Sequence, residues 1–219
     1  MTVGIAAALH DLEQAFARYP RRLVLERCPH CGPPVRVGEA DLFWLSLKLG
    51  NTIGTAGDAK ALLPLLFERL VTTEELDPDI ILGKLANLNW RSWSPAEQNA
   101  VDRFLDQTWR VLLSEFPSRT GAFHDAASFL RSLTAATLSP TRFLAIWDET
   151  TGQSADRHLA TFIEGAQFST RLDPAIREWI TRESLQTRLF HAFERESSDP
   201  SWSAAFANAY DLVAASSSV

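Results

Sequence analysis

Ser94-Pro95-Ala96-Glu97-Gln98-Asn99-Ala100-Val101-Asp102-Arg103-Phe104-Leu105-Asp106-Gln107-Thr108-Trp109 decides the fold class. Ser94 and Glu97 form a capping box: the hydroxyl can accept from an orphan amide of the first turn, and the carboxylate can reach back to Ser94 N–H. Pro95 follows with φ already set and no donor to waste. Val101, Phe104, Leu105, Thr108 and Leu112 then recur at three- and four-residue steps, which places them on one helical face. Asp102, Arg103, Asp106 and Arg110 take the other face. A helix over 95–116, ending near Pro117, is expected.

Working outward, the same pairing of a short polar residue with proline recurs at Asp77-Pro78, Ser139-Pro140, Asp173-Pro174 and Asp199-Pro200. Each marks a helix start. Helices are expected over Val3–Tyr19, Ala40–Gly50, 58–71, Asp79–Leu88, Ala122–Leu138, Thr141–Thr150, Ser154–Gln167, Ala175–Glu196 and Ser201–Ala215. Ala40–Gly50 is nearly all apolar and reads as buried on more than one side. Asp58 reads as the cap of its segment and Pro64 as a kink within it. Only Arg22–Glu26 and Pro34–Val37 suit extended chain. The cap–proline pairs have no fixed spacing, so a regular solenoid is excluded. The expected fold is therefore all-α: an irregular array of roughly nine or ten antiparallel-paired helices without a sizeable sheet. No internal stretch resembles a linker, so a single domain over 1–219 is expected, with 216–219 a frayed tail.

Composition narrows the partners. The 219 residues are 46% hydrophobic and 22% charged, with a formal charge of −6. That apolar content excludes a disordered chain. The acidic balance argues against tracking a phosphate backbone, so nucleic acid is not expected as a partner. The N-terminus lacks the basic region of a signal peptide, and no apolar run is long enough to span a bilayer. A cytoplasmic address without membrane association follows, with reduced thiols.

The sharpest local motif is Cys28-Pro29-His30-Cys31-Gly32. Three readings compete. Cys28 and Cys31 have the spacing of a metal knuckle, with zinc the natural ion. Four ligands are needed, and the chain has two cysteines. His30, His10 or a second subunit's own pair would have to complete the set, so a homodimer stays open. Cys-Pro-His-Cys also resembles the active motif of thioredoxin-like disulfide oxidoreductases. That resemblance implies a reactive thiol opening a helix, but Gly32-Pro33-Pro34 bars helix continuation. The third reading is a tight surface turn between helices, with plain thiols.

Other candidate chemistry dissolves on inspection. Glu74-Glu75 with Asp77, and Asp148-Glu149, sit at helix ends and read as solvated caps. His124-Asp125 and Asp156-Arg157-His158 suggest dyads, but neighbours on a helix point about 100° apart. The glycine-rich run Gly50–Gly57 lacks the Gly-Lys-Ser/Thr ending of a phosphate loop and reads as an interhelical turn. The tryptophans, spread over separate helices without basic interleaving, read as packing anchors.

Leu25–Gly32, Lys60–Leu70 and Asn89–Leu113 together combine a Cys-Pro-x-Cys turn, a Leu-Leu-Pro helix and a Trp-rich link into a long helix. In these stretches the chain resembles a loose group of uncharacterised bacterial helical proteins. The resemblance implies a helical bacterial cytosolic protein and brings no activity or site residues. With no catalytic constellation and no cofactor loop, the leading expectation is a non-catalytic interaction or scaffold protein with an unidentified protein partner. The alternative is a thiol- or metal-dependent protein or enzyme centred on Cys28 and Cys31.

Overall fold

The computed structural model describes residues 2–28, 30, 32–166 and 172–216. Cys31 and residues 217–219 of the expected tail lie outside these. Eleven α-helices appear among the described residues. They are α1 (Val3–Phe16), α2 (Leu42–Lys48), α3 (Ala56–Thr72), α4 (Pro78–Asn87), α5 (Pro95–Ser114), α6 (Ala126–Ala135), α7 (Thr141–Glu149), α8 (Gln153–Ala166), α9 (Pro174–Ile180), α10 (Glu183–Arg195) and α11 (Pro200–Ser216). Two strands, β1 (Val24–Leu25) and β2 (Val35–Arg36), pair antiparallel with Val24 opposite Arg36. The fold is all-α with a minimal hairpin, and no helix among the described residues is long and apolar enough to cross a membrane.

The caps form largely as their chemistry requires. Asp77 accepts from Asp79 N–H at 2.8 Å, Asp173 from Ala175 N–H at 2.8 Å, and Asp199 from Ser201 N–H at 3.1 Å. Glu97 accepts from Ser94 N–H at 2.9 Å, completing the capping box. Pro140 departs from the pattern. It occupies the cap position itself, and α7 begins one residue later with Ser139 Oγ accepting from Thr141 N–H.

Three expectations need correction. Thr55, not Asp58, caps α3; Asp58 is the third helical residue and closes a second capping box. Pro64, where a kink is expected, lies inside α3; its ring denies the Lys60 carbonyl its helical donor and is itself buried. The segment 175–196 is two helices, broken at Thr181–Arg182. Its buried residues run Ile176, Trp179, then Leu185, Leu189 and Ala192. The step from 179 to 185 is out of phase with a 3.6-residue turn, so one continuous helix could not bury both sets. Finally, α2 is buried on one side only. Leu45 is fully covered, whereas Phe43 is 40% and Leu47 39% exposed.

Contacts gather the chain into two compact units. The first comprises Met1–Val111, Thr120–Phe123 and Arg131–Leu138. In it α1 packs on α3, and α4 meets α2 and α3. Phe67 and Phe104 stack at 4.7 Å with rings nearly parallel. The second comprises Leu112–Arg119, His124–Leu130 and Ser139–Val219. Its centre is the trio α8, α10 and α11, with α7 against α9. Trp147 and Trp179, both fully buried, lie 5.2 Å apart, and their indole N–H groups donate to Ala155 O and Asp148 Oδ1. Trp90 and Trp109 are equally buried in the first unit. These tryptophans are packing anchors, as read from their dispersion.

Candidate functional site

The chain entering the cysteine motif is held by backbone bonds. Cys28 N–H donates to Thr52 O at 3.0 Å, and Gly54 N–H to Glu26 O at 2.8 Å, which ties the hairpin to the Gly50–Gly57 turn. Cys28 is half-buried, with Sγ 4.0 Å from His30 Nδ1. Cys31 lies outside the described residues. His10 is exposed on α1. Among the described residues no three His, Cys, Asp or Glu side chains converge as metal ligands would. Cys28, His30 and His10 are therefore not gathered into one site.

The buried ionic groups serve the frame. Glu97, with its side chain fully covered, accepts from Tyr19 Oη at 2.7 Å, Arg18 at 2.8 Å and Ser94 Oγ at 2.7 Å, and Lys60 Nζ stands 3.5 Å away. Burial opposes its ionisation, but the hydrogen bonds from Tyr19, Ser94 and Arg18 outweigh that and hold the carboxyl at about 2. A carboxylate that stays ionised throughout the neutral range is a poor proton carrier at pH 7. Lys60 also lies over the faces of Trp93 and Tyr19, at 4.2 and 5.1 Å.

Two cations close the ends of helices. Lys84, buried on α4, donates to the carbonyl of Leu49 at 2.8 Å, just past α2, and burial lowers its pKa. Arg188 donates to Trp147 O at 2.8 Å and Thr150 O at 2.7 Å, at the end of α7. Each positive charge meets carbonyls at the negative end of a helix dipole, where donors run short; Trp147 O also accepts from the cap amide of Thr150, at 3.1 Å.

The run Asp156-Arg157-His158 separates as the 100° step requires. Asp156 takes Arg188 Nε at 2.6 Å and Arg195 at 2.5 Å. Arg157 pairs with Glu196 at 2.6 Å. His158 Nε2 lies 3.0 Å from the carbonyl of Glu115, against the ring of Phe116, and its burial lowers its pKa. No dyad forms between these neighbours. Asp148 is likewise taken, by Trp179 Nε1 and Arg182.

Among the described residues, hollows open to solvent in each unit. One, of about 340 Å³, runs beside α1 and α5, is lined in part by Ala15, Ala96 and Ala100, and has the Asp11–Arg103 ion pair in its wall. Another, of about 150 Å³, lies between α10 and α11 and is lined by Phe190, Phe193, Phe206, Ala207, Tyr210 and Asp211. Phe206 forms its buried floor. Phe190, Phe193 and Tyr210 stand 48%, 36% and 37% exposed around it. None of Glu97, Lys84 or His158 lines either hollow. Neither the aromatic groove nor the ionic networks entered the sequence reading. One trace of the groove was available: Phe190 and Phe193 fall off the face defined by Leu185, Leu189 and Ala192.

Comparison with known family models, curated proteins and solved structures gives no match.

Proposed function

We propose that the protein is a non-catalytic helical interaction protein whose docking face is the α10–α11 groove. The observation that supports this is the ring of exposed aromatic side chains, Phe190, Phe193 and Tyr210, around a hollow floored by Phe206. Large aromatic groups left in water at one place mark recognition surfaces, because covering them releases apolar area and needs little side-chain ordering. A groove between two helices of a hairpin is also the shape into which a third helix or an apolar segment packs. The ionised groups of the core, by contrast, are engaged with fixed partners, which is the arrangement of a frame.

The test is site-specific photocrosslinking in the native host. A photoreactive residue at Ala207, in the groove, is compared with one at Glu68, exposed on α3. One dominant protein adduct from Ala207, lost in Tyr210→Ser, is expected. Identical adducts from both positions would end the reading.

A further inference from the structure

The charges around the groove say what chemistry its occupant carries. Three arginines belong to α10 and its cap, and all three turn away to internal partners. Arg182 reaches Asp148 at 3.5 Å. Arg188 and Arg195 both bind Asp156, at 2.6 and 2.5 Å. Helical geometry enforces the sorting: at 100° per residue, Arg188 and Arg195 stand about 160° and about 140° from Phe190. Glu183 and Glu194 stand only about 20° and about 40° from Phe190, and both are exposed. Asp211 is the sole charged residue in the sequence of α11, and it lines the groove. On α10, His191 lies 3.3 Å from Glu194 and is charged only when protonated. An apolar cleft is thus lined by one carboxylate, Asp211, with Glu183 and Glu194 exposed on the same side of α10, while the arginines of α10 pair with Asp148 and Asp156.

We infer that the groove takes an amphipathic helical segment of a partner protein, with a large apolar residue as anchor and Lys or Arg on its flanks. This rests on the docking reading above and names its partner class. A hollow of about 150 Å³ is the size of cavity that accepts a benzene ring, and so one large apolar side chain. Cationic flanks would meet Glu183, Glu194 and Asp211, where opposite charge speeds encounter and rejects wrong partners. A second copy of the chain would set the same carboxylates against each other, at a net charge of −6 per copy. An anionic lipid surface is repelled for the same reason.

The experiment uses the full chain and two labelled peptides of about five helical turns, one of Leu and Lys and one of Leu and Glu, with the same apolar face. Fluorescence anisotropy should show the Leu/Lys peptide binding at least about tenfold tighter, with an affinity that falls as salt rises. Reversing these acids with Glu183→Lys, Glu194→Lys and Asp211→Lys should abolish that preference. Reversing three exposed acids of the first unit, Glu26→Lys, Glu68→Lys and Glu74→Lys, should leave it in place. Phe190→Ser with Tyr210→Ser should weaken binding of the Leu/Lys peptide about tenfold. Equal binding of both peptides would overturn the basic partner and leave the groove. A preference lost equally in the two triple variants would reduce it to bulk charge and overturn the inference. Self-association abolished by Phe190→Ser, or binding to phosphatidylserine vesicles, would replace the occupant. Failure of both peptides to bind overturns the inference, and indifference of Leu/Lys binding to the Phe190/Tyr210 change removes the docking reading itself.

Discussion

Tyr19 Oη donates to the Glu97 carboxylate at 2.7 Å across 78 residues of sequence, and the same phenol oxygen accepts from Lys60 Nζ at 3.0 Å. The capping carboxylate of α5 is thereby also the point where the chain end of α1 and the first turns of α3 are fastened. A local helix-start device has become a tertiary tie.

Glu97→Gln should therefore cost more than an ordinary cap. A surface cap is worth about 1 kcal/mol. Here a buried, hydrogen-bonded charge is lost as well, so about 2–3 kcal/mol is expected in urea unfolding. Arg18, more than half exposed, adds little to that. The pH dependence has a definite sign. Folding lowers the carboxyl from 4.5 to about 2. Its contribution is then complete above 4.5 and is lost as pH falls from there toward 2, amounting to on the order of 3 kcal/mol. Wild type should lose its advantage over Glu97→Gln across that window. Parallel stability curves for the two proteins between pH 5 and 2 would contradict this.

Ser94 and Glu97 were legible because the box is written within four residues. The third party, Tyr19, was not, since nothing local ties residue 19 to residue 97. The same division runs through the chain. Caps at Asp77, Asp173 and Asp199 and the strands around the cysteine turn follow from neighbouring residues. The break at Thr181–Arg182 was written in the phase jump from Trp179 to Leu185, but the charged residues between disguised it as a continuing polar face. The apolar run of α2 misled because composition cannot say which side has a neighbour.

Asp156 offers a second test. Its side chain is 5% exposed and holds two arginines of α10 against α8. Asp156→Asn keeps the shape and removes the charge, leaving Arg188 and Arg195 short of their counter-ion. A loss of about 3 kcal/mol is expected. The exposed pair Arg36–Glu39, 3.9 Å apart, provides the contrast: Glu39→Gln should change stability by less than about 0.5 kcal/mol. Comparable effects at the two sites in thermal or urea melts would mean that burial is not what gives the Asp156 network its strength.

Lys84 carries a pH dependence of the same sign into the alkaline range, from a different cause. Burial makes its charged form less favourable, so its pKa falls below the ordinary 10.5 on folding. Between the lowered value and 10.5 the unfolded chain holds the extra proton, and stability from this group rises with pH. Lys84→Met removes the buried ammonium but leaves the Leu49 carbonyl without its donor. These effects oppose, and a net change within about 1 kcal/mol is expected at pH 7. The difference should move in favour of wild type as pH is raised toward 10. A constant difference over that range would show that Lys84 titrates as it does in water.

Gly121 sits at φ +50°, and a Cβ built there would lie 2.3 Å from the carbonyl oxygen of Leu70. The dihedral alone does not demand glycine, since Asn89 adopts φ 49°. What demands it is the close approach of two backbones, fixed by the Ala122 N–H bond to that same Leu70 oxygen at 2.9 Å. Backbone cannot swing aside as a flexible side chain would, so Gly121→Ala should cost more than about 3 kcal/mol. Two other glycines separate the causes. Gly152 has φ +124° with open space around it, so Gly152→Ala carries dihedral strain alone, about 1–2 kcal/mol. Gly38 has neither constraint, and Gly38→Ala should stay within about 0.5 kcal/mol. Melting the three variants side by side should rank them Gly121→Ala, Gly152→Ala, Gly38→Ala in order of damage. A Gly121→Ala protein as stable as Gly152→Ala would mean that the turn relaxes away from Leu70 at little cost, and that the 120–123 turn is held less tightly than its hydrogen bond implies.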